Sequence, residues 1–386
     1  MFDKILRSCQ VYAKVLLCIG EDNGGRLFPR QRLGKLSLDT AMPILPWTDQ
    51  LAMDVGSASV HIAAKGKGIV VREPSFVGFD SHHTKPVAFG TEARQLWERG
   101  VDDVEIVRPI RGSVVADFDA TVAMLREFIR RALGRRPLFA PMVVIATPPS
   151  ATQVEGRALH DSLHVAGAGH IVDVQRPLAV GLGADLPLQS EDSYLIVDIG
   201  AGSTSSAVFH NGLVTAARSF RFGGDHLNEA IIRTIRRQRG IRLSDSAAEH
   251  LKREAGSLQT VLGNGPVHVN DVVAVTDNQQ IESYEMDLEQ VPQILTEAFE
   301  PLIEELQWLL EELPRTQTQQ VVGGGVVLSG GTALLGGLDE LIASRLHLPC
   351  RVASDPISCT ILGLQTVLTN LEALSLGGQR FAAIRV

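Results

Sequence analysis

Apolar positions along the chain follow two rhythms. Residues 51–55, 142–147, 194–199 and 326–329 are almost continuously apolar, the pattern of short strands buried on both faces. Between them the period lengthens. Val122, Leu125, Ile129 and Leu133 sit at helical spacing and predict a helix over 120–132. The same periodicity predicts helices over 153–166, 224–239, 245–255, 292–313, 333–345 and 357–374. Residues 60–64, 68–71 and 75–80 continue a hairpin sheet after the first strand, and 206–209 follows the third. Alternating strands and helices predict an α/β architecture. A helix is also predicted over 2–18. Residues 20–50 hold Gly24-Gly25, Pro29, Pro43 and Pro46 without periodicity and read as a linker, so order begins at Leu51.

One segment is repeated. Leu51-Ala52-Met53-Asp54-Val55-Gly56-Ser57-Ala58-Ser59 is echoed by Leu195-Ile196-Val197-Asp198-Ile199-Gly200-Ala201-Gly202-Ser203-Thr204. Each is an apolar strand that reaches an Asp, turns through Gly and small residues, and resumes as strand. A period this long implies a duplicated domain, because solenoid repeats are far shorter. Such turns leave backbone N–H groups and hydroxyls free to meet phosphate oxygens, and an Asp at the strand end suits Mg²⁺ through its water shell. Two turns facing each other would clamp a nucleotide triphosphate. A third glycine site, Gly330-Gly331-Thr332, follows the 326–329 strand and offers a flat ring or a phosphate close approach to the backbone. The motif GxxxxGK[ST] is absent, and no GxGxxG opens a helix, which disfavours P-loop NTPases and Rossmann dehydrogenases.

Composition narrows the class. The 386 residues are 45% hydrophobic, enough apolar surface to exclude disorder for most of the chain. The net charge of −8, with no broad basic and aromatic stretch, argues against nucleic acid as a partner. No apolar run is long enough to cross a membrane as a helix. Cys9, Cys18, Cys350 and Cys359 form no CxxC pair and read as free thiols of a reducing cytoplasm.

The order of the three glycine sites resembles the superfamily of ATP-binding folds shared by actin, heat-shock-70 and sugar kinases. In detail it is similar to the MreB family of bacterial actin-like, rod-shape-determining proteins. Met53 to Ser59 carries this resemblance, with Lys65-Gly66-Lys67-Gly68, Glu73-Pro74-Ser75, Arg108-Pro109-Ile110, Val115 to Phe118, Ala166-Gly167-Ala168, Gly224-Asp225 and Leu328 to Asp339. It spans about residues 51–374 and leaves out 1–50. It implies an actin-like ATPase fold of two duplicated lobes around a nucleotide cleft. The first lobe would span 51–190 with an insertion near 82–116. The second would span 191–356 with an insertion near 227–290, and 357–386 would return to the first lobe. ATP and Mg²⁺ would lie near Asp54, Gly56, Ser57, Ala58, Asp198, Gly200, Ala201, Gly202 and Ser203, with Asp54 and Asp198 on the metal. Adenine and ribose would lie near Gly330, Gly331 and Thr332. Glu249 and Lys252 would lie on the ribose edge or, equally, on a solvated helix face.

The chain departs from the family at Gln175-Arg176-Pro177-Leu178-Ala179, where the family has Glu-Glu-Pro-Met-Ala. Orienting a water for attack on the γ-phosphate needs an acceptor, and Arg176 carries only donors. Thr204 is then the remaining candidate for part of that role, and Arg176 for stabilising phosphate charge. The expectation is ATP binding with weak or absent hydrolysis.

Two features point to a membrane surface. A helix over 2–16 would gather Phe2, Ile5 and Leu6 on one face, either on lipid or packed on the protein body. Leu138-Phe139 follows Arg130-Arg131 and Arg135-Arg136, and matches the family's apolar membrane loop. The resemblance therefore implies membrane-associated filaments in the cytoplasm, on the inner face of the membrane, serving cell shape or wall organisation. The partners would be further copies of the chain and wall-synthesis or shape-complex membrane proteins. Two alternatives stay open. One is a nucleotide-locked scaffold that co-assembles with a standard family member. The other is a small-molecule kinase, with Asp117 or Asp173 as its base.

Overall fold

The computed structural model describes residues 48–82, 85–100, 103–135, 137–188, 190–258, 267–269, 272–274, 280–281, 284–286, 288–376 and 384–385. The expected helix over 2–18, with Phe2, Ile5 and Leu6, lies outside the described residues, as does most of the linker.

Two large sheets repeat one plan. In the first, strand Gln50–Val55 pairs antiparallel with Ser59–Ala64, which pairs antiparallel with Gly68–Pro74. On its other side it runs parallel to Met142–Thr147, and that strand runs parallel to Ile171–Gln175. In the second, Tyr194–Ile199 pairs antiparallel with Thr204–His210, then Leu213–Phe220. On its other side it runs parallel to Val326–Ser329 and then Cys350–Val352. The two repeated segments are therefore the equivalent strands of two equivalent sheets. Both carry side chains to two buried faces, which is why they read as continuous apolar runs.

The side-chain period of two assigns those faces. Leu51, Met53 and Val55 point into a core closed by helices Phe118–Leu133 and Gln153–Ala166. Ala52, between them, points the other way, into a core shared with Ile196, Phe209 and Val327 of the second sheet. Helices Arg176–Gly183 and Cys359–Leu376 contribute to this shared core, so they lie between the sheets. Leu195, Val197 and Ile199 face the outer core of the second sheet, with Leu227 and Ile231 of helix Gly224–Arg239.

Several elements differ from expectation. Val77–Asp80 does not extend the first sheet. It joins Pro86–Phe89 and Val104–Val107 in a separate three-stranded sheet beside helix Thr91–Arg99. The predicted helix over 292–313 is two helices, Val291–Ala298 and Glu300–Glu311, joined at Phe299. Pro301 has no N–H for the carbonyl of residue 297, so the ladder breaks there. The predicted helix over 333–345 is a 3-10 turn, Gly331–Leu334, then helix Leu338–Leu346, with Gly337 left-handed between them. Strand Ile171–Gln175 and the short helix Arg176–Gly183 have too little periodicity to stand out in the sequence.

Candidate nucleotide site

The two repeated turns close in the same way. The Gly56 N–H donates to the Ser59 carbonyl and the Gly200 N–H donates to the Ser203 carbonyl, both at 3.0 Å. Both turns face one cleft of about 670 Å³, within the range of small-ligand sites. Asp54, Gly56, Ser57, Ala58, Asp198, Gly200, Ala201, Gly202, Ser203, Glu249, Lys252, Gly330, Gly331 and Thr332 all line it. Sequence positions almost three hundred residues apart thus meet around one space.

The third glycine site is tied to the second turn. Thr332 Oγ1 donates to the Gly200 carbonyl at 2.9 Å. Gly330 adopts φ +86, and a Cβ there would stand 2.3 Å from the Ile199 carbonyl oxygen. Only glycine lets the backbone pass that close to the central strand.

Lys252 is buried and fully engaged. Its Nζ donates to the Gly224 carbonyl at 3.0 Å, Asn228 Oδ1 at 2.9 Å and Glu249 Oε2 at 2.6 Å. Asn228 Nδ2 also donates to Glu249 Oε2 at 3.1 Å. Burial alone would raise the Glu249 carboxyl, but Lys252 and Asn228 outweigh it and hold it below the usual carboxylate range. The pair is a built wall of the cleft, so the alternative of a solvated helix face does not apply to Lys252. Asn228 was not singled out in the sequence. Its position one helical turn after Gly224 was the available signal.

Arg176 sits where strand Ile171–Gln175 ends and its helix begins, with Pro177 fixing the first turn. It is 8% exposed. Its Nη1 lies 2.9 Å from Asp54 Oδ1 and 3.7 Å from Asp198 Oδ2. Burial would lower the guanidinium pKa, but the two carboxylates outweigh that and raise it. Burial pushes the Asp198 carboxyl up, and Arg176 offsets part of that. Asp54 and Asp198 are 9% and 5% exposed. As a donor set for Mg²⁺ they do not fit. Their shared space already holds a fixed cation, the Arg176 guanidinium.

Thr204 does not line the cleft. Its buried hydroxyl donates to the Phe222 carbonyl at 2.9 Å, so the expected share in positioning water meets a hydroxyl turned to the backbone. The kinase candidates are structural too. Asp117 caps helix Phe118–Leu133 by accepting from the Ala120 N–H at 2.9 Å. Asp173 Oδ2 lies 2.9 Å from His160 Nε2, and this contact raises the imidazole pKa.

The turn at Gly112-Ser113 was also missed. Ser57 Oγ accepts from the Ser113 N–H at 3.2 Å, and the Ser113 and Ser203 hydroxyls are 2.5 Å apart. One residue therefore touches both repeated turns. Gly112, left-handed at φ 56 beside Ser113 at φ 63, is the local sign of a turn in the sequence, but a turn signal does not name the segments it meets.

Outside the cleft, Leu138 is 87% exposed and Phe139 52%. The neighbouring arginines are partly neutralised. Arg130 and Arg131 pair with Glu127, Arg131 also with Glu73, and Arg135 with Asp49. Arg136 lies outside the described residues. Cys350 and Cys359 are free thiols, and burial pushes Cys350 up to about 12.

Comparison with known proteins agrees with this architecture. The chain is 30% identical over 325 residues to the cell shape-determining protein Mbl of Bacillus subtilis, covering 84% of this chain and 97% of that one. The fold matches MreB 5 of Spiroplasma citri bound to AMPPNP, with a TM-score of 0.77 at 23% identity, covering 87% of this chain and 100% of that one. It also matches the MamK double helical filament, with a TM-score of 0.66 at 20% identity, covering 86% and 99%. The fold is actin-like. The model of the MreB/Mbl protein family matches residues 48–376, across both sheets and all three glycine sites, and the chain belongs to that family.

Proposed function

We propose that this actin-like cytoskeletal protein binds ATP in the cleft and assembles into filaments on the inner face of the cytoplasmic membrane. There it would organise cell shape or wall synthesis together with membrane proteins of that machinery. The observation that carries the reading is the pair of equivalent turns at Gly56 and Gly200 facing one cleft, closed by Gly330 and Thr332. Phosphates would meet the backbone and hydroxyls of Ser57, Ala58, Ala201, Gly202 and Ser203, and the adenosine would meet Gly331, Thr332, Glu249 and Lys252. The AMPPNP-bound neighbour supports a nucleotide there, and the filament neighbour supports self-assembly.

Hydrolysis would be slow or absent. An attacking water needs an acceptor, and the cleft offers the donors of Arg176 where the family has Glu. A second reading follows from the same residue: a nucleotide-locked subunit that assembles only alongside a hydrolysing family member. Electron microscopy of the purified protein with ATP on a lipid monolayer tests the first reading, and adding such a member tests the second. Filaments of the chain alone support the first. Absence of filaments in both mixtures would refute both. Phosphate release at the family's rate would refute slow hydrolysis.

A further inference from the structure

Taking ATP binding as proposed above, we infer that the Arg176 guanidinium replaces the divalent cation, so that this chain binds ATP without Mg²⁺. Asp54 and Asp198 are the last-but-one residues of the equivalent central strands of the two sheets, so their carboxylates meet from opposite lobes. Nη1 of Arg176 stands between them, 2.9 Å from one and 3.7 Å from the other.

Three observations bear on the exchange. First, Arg176 is built in. It follows directly on a strand of the first sheet and opens a helix packed between the two sheets. Second, the guanidinium is permanently charged and has donors on more than one edge, so it can face carboxylates and phosphates together. Its Nε is buried and has no hydrogen-bond partner, and Arg176 lines the cleft. Third, the remaining space is unfavourable for a metal. Mg²⁺ demands oxygen ligands at short octahedral distances and keeps a water shell, and here that shell would press against a fixed positive charge. Two carboxylates held by one arginine keep one net negative charge. The phosphates would therefore draw on Arg72, which also lines the cleft, and on the backbone N–H groups of the two repeated turns.

Titration calorimetry of ATP into the full-length protein, in MgCl₂ and then in EDTA, tests this. The expected result is a Kd in EDTA within about threefold of that in Mg²⁺. Weakening beyond that in EDTA would overturn the inference while leaving ATP binding intact. No binding in either buffer would overturn ATP binding itself, and the inference with it. Arg176→Glu should make binding depend on Mg²⁺ by about tenfold or more, and Arg176→Lys should stay independent of it. An Arg176→Glu protein that binds ATP equally well in both buffers would also overturn the inference. The wild-type comparison stands alone if that variant does not fold.

Discussion

Arg108 Nη2 donates to both carboxylate oxygens of Asp225, at 3.0 Å each. Arg108 leads out of the small sheet of the first half, and Asp225 lies in the first turn of helix Gly224–Arg239 in the second. The pair therefore latches the two halves together at the wall of the cleft. Because it is only partly buried, we expect a double-mutant cycle of Arg108→Ala and Asp225→Ala to give a coupling of about 1 kcal/mol in urea unfolding. Coupling near zero would show that the latch contributes nothing to the closed arrangement.

Removing the cation between the aspartates should be costly. Arg176→Met leaves two buried carboxylates uncompensated, and we expect a loss of about 3 kcal/mol in ligand-free stability near neutral pH. The sign of the pH dependence follows from Asp198, whose folded pKa is raised by burial. Such a group favours the folded state at low pH and costs stability as pH rises through the folded value. The variant should recover part of the loss on acidification. Equal losses at both ends of the pH range would contradict this account.

The two helices between the sheets touch backbone to backbone. A Cβ on Gly363 would stand 1.7 Å from the Ala179 carbonyl oxygen. Gly363→Ala must push helix Cys359–Leu376 away from helix Arg176–Gly183, which also carries Arg176. We expect a loss of about 3 kcal/mol, read as a lower unfolding midpoint, and a weaker ATP affinity. A variant of wild-type stability would mean that the helices can separate freely.

Lys252→Met should strip Asn228 and Glu249 of their shared cation. We expect a loss of about 2 kcal/mol and reduced ATP affinity. In the wild type the folded Glu249 pKa is depressed. Its contribution is present above the unfolded carboxylate value of about 4.3 and lost as pH falls through the folded value. That acid-side loss should be smaller in the variant, as acid unfolding curves of the two proteins would reveal.

Leu138 and Phe139 stand exposed between helix Phe118–Leu133 and strand Met142–Thr147. If this bend enters lipid, replacing both with Ser should reduce liposome co-sedimentation several-fold at unchanged stability. Residual binding equal to wild type would assign the contact elsewhere, with the segment 1–18 as the next candidate to delete.

Much of the fold was readable locally. Helices 153–166, 224–239 and 245–255 match their expected ends, because caps and periodicity are short-range signals: Thr152 and Glu155 form a capping box, and Ser244 caps the Ala247 N–H. The broken helices at Phe299 and Gly337 were foreshadowed by Pro301 and Gly336-Gly337, whose effect the apolar periodicity masked. The strand Val77–Asp80 was recognisable as a strand but not as part of another sheet, since a strand's pattern does not name its neighbour.

By itself, the sequence determined the duplicated strand-turn, the glycines that let the backbone turn at each copy, and the departure at Arg176. These are properties of a few adjacent residues. Only the tertiary structure decided what those residues face. Asp54 and Asp198 meet because two sheets stack around shared helices, and Arg176 reaches both because its helix begins in that layer. Thr204 turned to Phe222, and Lys252 turned inward to Glu249, for the same reason. A side chain's partner depends on which distant segment packs against it, and that is settled by burial of the whole core.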